Sequence, residues 1–285
     1  MRKDVVLPSL ALAGGVAGFL LRRWQLASAY VPETGLFTPG APATYALLGL
    51  TALLGLAFLL LLREKKEGLD GFLPAFGSPD VGQMTVLAAA GLLMMAAGLI
   101  GLFNGLRDIQ LWQLDPEEYQ LSALAAKLLA AALCLPAGNG VLLMGRAAYR
   151  GELDNLACRL TPFPALAGLV WVFSAQLNYS TEPVLMKYAF SLFAALLLTL
   201  AHYYFAGFLY GKPRPRLAVL CALMGIVVGI TSLAGGPDLF TAAATAAFSL
   251  SALGFSRALL GGPWPERMPP AGEDEQPENA SNTDI

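Results

Sequence analysis

Asp and Glu are missing from every long apolar run of this chain, and Lys and Arg crowd every second gap between runs. That placement limits the fold more than any other feature. A hydrocarbon core about 30 Å thick is crossed by about 20 apolar residues in a helix. Runs of that kind occupy residues 5–21, 43–62, 81–103, 121–144, 163–177, 183–209, 217–233 and 239–260. The fifth is the shortest and ends among Ser174, Gln176 and Asn178. Eight spans put both termini and the second, fourth and sixth loops on one face. That face holds Arg2, Lys3, Arg63, Lys65, Lys66, Arg146, Arg150, Arg159, Lys212, Arg214, Arg216, Arg257 and Arg267, 13 in all, against 3 opposite, Arg22, Arg23 and Arg107. Adding or dropping one internal span would put basic loops on both faces. The bias therefore predicts an all-α polytopic transmembrane helical bundle with both termini cytoplasmic.

Composition agrees. Apolar residues make up 56% of the chain and charged residues 13%, about half the usual share for a soluble domain. The net charge of -2 is spread over loops and tail, so no nucleic-acid partner is implied. Cys134, Cys158 and Cys221 are too scattered for a disulfide framework or a zinc cluster and read as inert thiols. Arg2 and Lys3, the first apolar run and Ala27-Ser28-Ala29 imitate a cleaved signal. Arg22 and Arg23 between run and site favour a retained first helix instead.

Outside the spans, residues 22–42 carry Pro32, Gly35, Pro39 and Gly40 and read as turns. Residues 104–120 set Ile109, Leu111 and Trp112 among charges, as a segment lying on the membrane surface would. Residues 146–160 read as a short interfacial helix. Residues 1–261 form the membrane domain, and the acidic, Pro-rich stretch 262–285 is expected to be disordered.

Candidate functional residues are few. A single histidine excludes a bis-histidine haem and HExxH zinc chemistry. The acid-free spans lack the carboxylate relay of a proton- or sodium-coupled carrier. No nucleophile–base pair or metal cluster is visible, so the chain reads as non-enzymatic and without a cofactor. Lys127 and Lys187 are the cations within spans, apart from Arg257 close to the inner end of the last. Both lie near the outer boundary, where they would snorkel or pair with Glu182 or with Asp115, Glu117 and Glu118. A sharper alternative joins them to Arg22, Arg23 and Arg107 as a vestibule for an anionic solute or lipid headgroup. His202 is expected as a neutral imidazole bonded to another helix, with proton sensing or ligand binding as the alternative. Leu135-Pro136-Ala137-Gly138-Asn139-Gly140 should kink or unwind the fourth span, with Asn139 bridging helices or lining a binding cavity. Gly14/Gly18, Gly101/Gly105 and Gly225/Gly229 have the spacing of close helix contacts. Residues 211–216, Gly-Lys-Pro-Arg-Pro-Arg, read as a stiff turn.

The stretch Gly14-Gly15-Val16-Ala17-Gly18-Phe19, then Leu21-Arg22-Arg23-Trp24-Gln25-Leu26 and Thr34-Gly35-Leu36 through Pro39-Gly40-Ala41-Pro42, resembles uncharacterised multi-pass membrane proteins of anaerobic Gram-positive bacteria. The resemblance implies a bacterial plasma membrane and transfers no activity. In its eight-span size the chain is also similar to membrane anchor subunits of some respiratory complexes. Two functional classes follow. One is a permease-like or solute/lipid-handling component; the other is a scaffold, sensor or anchor subunit that acts through partner helices. A polar cavity at mid-depth beside Lys127, Asn139 and His202 would favour the first, and a solid core the second.

Overall fold

In the computed structural model, residues 2–63, 71–114, 121–179 and 184–261 are described. Eight helices among them are long and apolar enough to cross a membrane. In chain order, the first is α1 (Lys3–Ser28), followed by a two-stranded hairpin of β1 (Tyr30–Val31) and β2 (Leu36–Phe37), then α2 (Pro42–Leu61) and the five-residue α3 (Phe72–Phe76). The rest are α4 (Val81–Leu114), α5 (Leu121–Arg150), the short α6 (Asn155–Leu160), α7 (Phe163–Tyr179), α8 (Leu185–Gly207), α9 (Pro215–Leu233) and α10 (Leu239–Leu260). The chain is thus an all-α polytopic bundle. The predicted tail disorder at 262–285, and the pairings with Glu182 and with Asp115, Glu117 and Glu118, fall outside the described residues.

An even number of crossings gives the bundle a terminal end and a hairpin end. At the hairpin end Tyr30 pairs with Phe37, and Gly35 turns the chain at φ 68°, a conformation that glycine adopts without a steric penalty. α10 is the central pillar and packs against α4, α9, α1 and α8. α2 lies at the periphery, held mainly by α1, and buries only Ala43, Leu47, Leu54 and Phe58.

The seam between α4 and α5 shows what drives packing where lipid is as apolar as leucine. Association there depends on close van der Waals fit, so small residues line the contact. Gly91 and Gly138 meet backbone to backbone: a Cβ on Gly138 would lie 2.4 Å from the Gly91 carbonyl oxygen. Gly98 faces Ala131 and Gly145 faces Leu87. Gly91, Gly98 and Gly105 on one helix, and Ala131, Gly138 and Gly145 on the other, recur every seven residues. This heptad spacing keeps the small residues on one seam of two slightly coiled helices.

Three expectations about local structure are corrected. The fourth span is not interrupted: α5 is helical straight through Pro136. Its glycines serve close approach, Gly138 to α4 and Gly140 to the Leu160 carbonyl. Residues 104–114 do not lie on the surface but continue α4. Its 34 residues span about 51 Å at ~1.5 Å each, more than the hydrocarbon core needs, so its last turns project beyond it. Residues 146–150 likewise continue α5. The short separate helix there is only α6, reached after a turn at Gly151.

A feature the hydropathy pattern does not announce is α3, which tucks into the terminal end. Phe72, Ala75 and Phe76 are buried. The Phe76 ring packs edge-on against Phe205, Phe208 and Phe255, with centroids 5.7, 5.0 and 5.3 Å away. The segment is pinned by Ser78 N–H donating to Ala148 O at 2.8 Å and by Gln83 Nε2 donating to Phe76 O at 3.3 Å.

Candidate functional site

Lys127 enters the bundle two turns into α5. Its ammonium donates to Asp108 Oδ2 at 3.0 Å and lies 3.5 Å from Asp238 Oδ2. Asp108 is supplied by the extra turns of α4. Asp238 is the N-cap of α10, and its other oxygen accepts from Thr241 N at 2.9 Å. A carboxylate at that position satisfies an orphan N–H and sits against the positive end of the helix dipole. The three side chains carry one positive and two negative charges, so the cluster is net negative.

The cluster borders a cavity of about 140 Å³ lined by Lys127, Trp171, Ser174, Ala175, Asn178, Ser191, Asp238, Phe240 and Thr241. Bulk water takes about 30 Å³ per molecule, so the space suits a solute of a few heavy atoms. Its deep wall is Trp171, only 3% exposed. Behind it stands an aromatic column. Trp171 packs on Phe248 at 5.4 Å, Phe248 on His202 at 5.0 Å and His202 on Phe205 at 5.6 Å. Phe205 in turn meets Phe255 at 5.1 Å and Phe76 at 5.7 Å. Apolar rings therefore close the path from the cavity to the terminal end.

His202 belongs to that column, not to the cavity. Nδ1 is 2.8 Å from Leu198 O and Nε2 is 3.0 Å from Ser251 Oγ. A carbonyl only accepts, so Nδ1 carries the proton and Nε2 accepts from the Ser251 hydroxyl. Both ring nitrogens are satisfied in the neutral form expected from the sequence.

Of the basic residues expected to gather in a vestibule, only Lys127 lines this cavity. Arg22 is 2% exposed. Its guanidinium donates to Gln25 Oε1 and to the carbonyls of Met186 and Lys187 at 2.9 and 3.0 Å. Gln25 Nε2 donates onward to Thr44 Oγ1 at 2.8 Å. The guanidinium carbon also lies 5.5 Å from the Phe37 ring centroid and 5.3 Å from that of Phe190, within cation–π range. Arg22 thus ties α1 to α2, α8 and the hairpin, with three of its N–H donors spent on protein acceptors. Arg23, Arg107 and Lys187 are exposed on α1, α4 and α8, and Asn139 is exposed on the outside of α5. None of these four lines the cavity.

The residues that build the site beside Lys127 were missed for a reason. Asp108 and Asp238 look like loop charges as long as the helices are ended at their last apolar residue. One signal was available: Asp directly before the apolar run that starts at Leu239 marks an N-cap. No protein-family model, no curated protein and no solved structure matches this chain.

Proposed function

We propose that this integral membrane protein is a solute-handling, permease-like component, and that its ligand is a small solute carrying an ammonium group. The observation that carries the reading is the Lys127–Asp108–Asp238 cluster beside a cavity of about 140 Å³ of mixed lining, which Lys127 and Asp238 reach and Asn139 and His202 do not. Two carboxylates against one ammonium favour a cationic or zwitterionic solute over the anion suggested by counting cations. Asp238, the more exposed carboxylate, would take the ammonium, and the Trp171 face would add a cation–π contact. Ser174, Asn178, Ser191 and Thr241 offer polar partners to the rest of the molecule. The charge bias of the loops supports a cavity facing outward and cytoplasmic termini; the bacterial plasma membrane rests on the resemblance of the chain's opening stretch. With the aromatic column closed, passage would require Trp171 and Phe248 to move.

The test is ligand-induced thermal stabilisation of the purified full chain by a panel of small amines, amino acids and carboxylates. A saturable shift with amines or amino acids, abolished by Asp238→Asn, supports the reading. The Asn side chain still caps α10, so loss of binding would report the charge and not the fold. Stabilisation by carboxylates alone, or a response unchanged in Asp238→Asn, refutes it. The partner-helix reading rests on α2, whose Tyr45, Leu53, Leu56 and Leu60 are all more than half exposed. Co-purification of a stoichiometric membrane protein, lost when these positions are substituted, would favour it.

A further inference from the structure

A second cavity lies at the opposite, terminal end, and the solute-binding reading makes no use of it. It encloses about 570 Å³ between the start of α7 and the end of α8, within the range of small-molecule sites. Its lining is of two kinds. Lys212 and Arg214 supply cations at the mouth, with Tyr203, Tyr204 and Tyr210 beside them. Pro162, Ala165 and Leu166 form the apolar wall.

The cations are placed by the stiff turn at residues 211–216. Gly211 takes φ 67°, Lys212 N–H donates to Gly207 O at 2.9 Å, and Pro213 and Pro215 restrict the backbone on either side of Arg214. Arg214 is the N-cap of the 19-residue α9 and makes no side-chain capping bond. Among the described residues neither Lys212 nor Arg214 has a carboxylate partner, in contrast to Lys127. The positive end of α9 adds to the same field.

The cavity also continues into the lipid-facing surface. Leu166 is 45% exposed, and Leu169 and Phe173, three and seven residues on, share its helix face at 60% each. On α8, Tyr203 at 60% is followed one heptad toward the bilayer centre by Leu196 at 40%. A head pocket with two uncompensated cations and phenol hydroxyls thus opens onto an apolar track that runs along the bilayer. This is the form of an amphiphile with an anionic head. We propose that this cavity is a binding site for an anionic glycerophospholipid, with its phosphate between Lys212 and Arg214 and an acyl chain along Leu166 and Leu169. Basic pockets between membrane helices recognise phosphate headgroups in this way.

The experiment uses the full chain in nanodiscs of phosphatidylcholine with a minor fraction of phosphatidylglycerol, with retained lipid identified by native mass spectrometry. Wild type is expected to retain phosphatidylglycerol selectively. Lys212→Gln with Arg214→Gln should weaken that selectivity about 30-fold, the effect of removing two cations near the membrane surface. Arg216→Gln, two residues beyond the lining, should leave it unchanged. Leu166→Trp keeps both cations and fills the track, so it should also lose lipid; it keeps the test open if the double variant fails to fold. Inorganic phosphate added alone separates the two sources of the same chemistry. Stabilisation by phosphate equal to that by phosphatidylglycerol, and unaffected by Leu166→Trp, would overturn the lipid assignment. So would equal retention by wild type and the double variant, or equal loss with Arg216→Gln. None of these outcomes bears on amine binding at Asp238, so the two proposals fail separately.

Discussion

Replacing Gly138 by alanine adds one methyl group where α4 and α5 touch, and the structure sets the size of the effect. The new Cβ would stand 2.4 Å from Gly91 O, 2.6 Å from Met95 Cγ and 2.9 Å from Met95 N. Ordinary contact begins near 3.4 Å, so the two helices must part by about 1 Å at the crossing. A gap of about 0.5–1 Å already forfeits a quarter to a half of each dispersion well along the seam. Overpacking of a close-fitted core costs about 1–3 kcal/mol. Against it stands the higher helix propensity of alanine, up to about 1 kcal/mol in an exposed aqueous helix. The sterics win, and a net loss of about 1–2 kcal/mol is expected. Purified protein in detergent, unfolded by heat or by SDS titration and followed by tryptophan fluorescence, would report it. Asn139→Ala, one residue along and on the exposed side of α5, is the control and should change stability by less than about 0.5 kcal/mol. The double variant Gly91→Ala with Gly138→Ala should cost less than the sum of the two, because one separation relieves both clashes. If Gly138→Ala is as stable as Asn139→Ala, the backbone-to-backbone seam is wrong.

Other substitutions probe the polar ties. Arg22→Met should destabilise the bundle by about 1.5–3 kcal/mol, the scale of hydrogen bonds to a charged group; Arg22→Lys should not restore it, since one ammonium cannot reproduce the planar fork. In double-mutant cycles scored by thermal unfolding, Lys127 should couple more strongly to Asp108 than to Asp238. The first contact is shorter and its carboxylate less exposed, and coupling to Asp238 should stay within about 1 kcal/mol; equal or reversed couplings would show that the cluster is arranged differently. His202→Phe should cost about 1–3 kcal/mol by orphaning the Ser251 hydroxyl. Adding Ser251→Ala to it should recover part of that loss, and no recovery would refute the bond between them.

Span number, and with it the placing of both termini at one end, was written in hydropathy, while the placement of Lys and Arg argues for which side that end faces. Both depend on transfer of single residues between water and hydrocarbon, which each residue carries with it wherever it sits. The small residues that would line helix contacts were visible for the same reason, though not which glycine met which. Helix ends were less legible: Asp108 and Arg107 read as loop because polar residues stop the apolar pattern, yet a helix continues once it has left the lipid. Pro136 and its glycines read as a kink or an unwound turn, yet α5 stays helical through them, with Gly138 set directly against Gly91 of α4. Partnership was not legible at all. Five cations near one boundary suggested a common vestibule, and only the folded bundle spends Arg22 on helix carbonyls, pairs Lys127 with Asp108 of the preceding helix and Asp238 of the last, and leaves Lys212 and Arg214 without a carboxylate partner among the described residues. Charge pairing is a matter of distances between segments far apart in the chain, and those distances exist only after packing has set them.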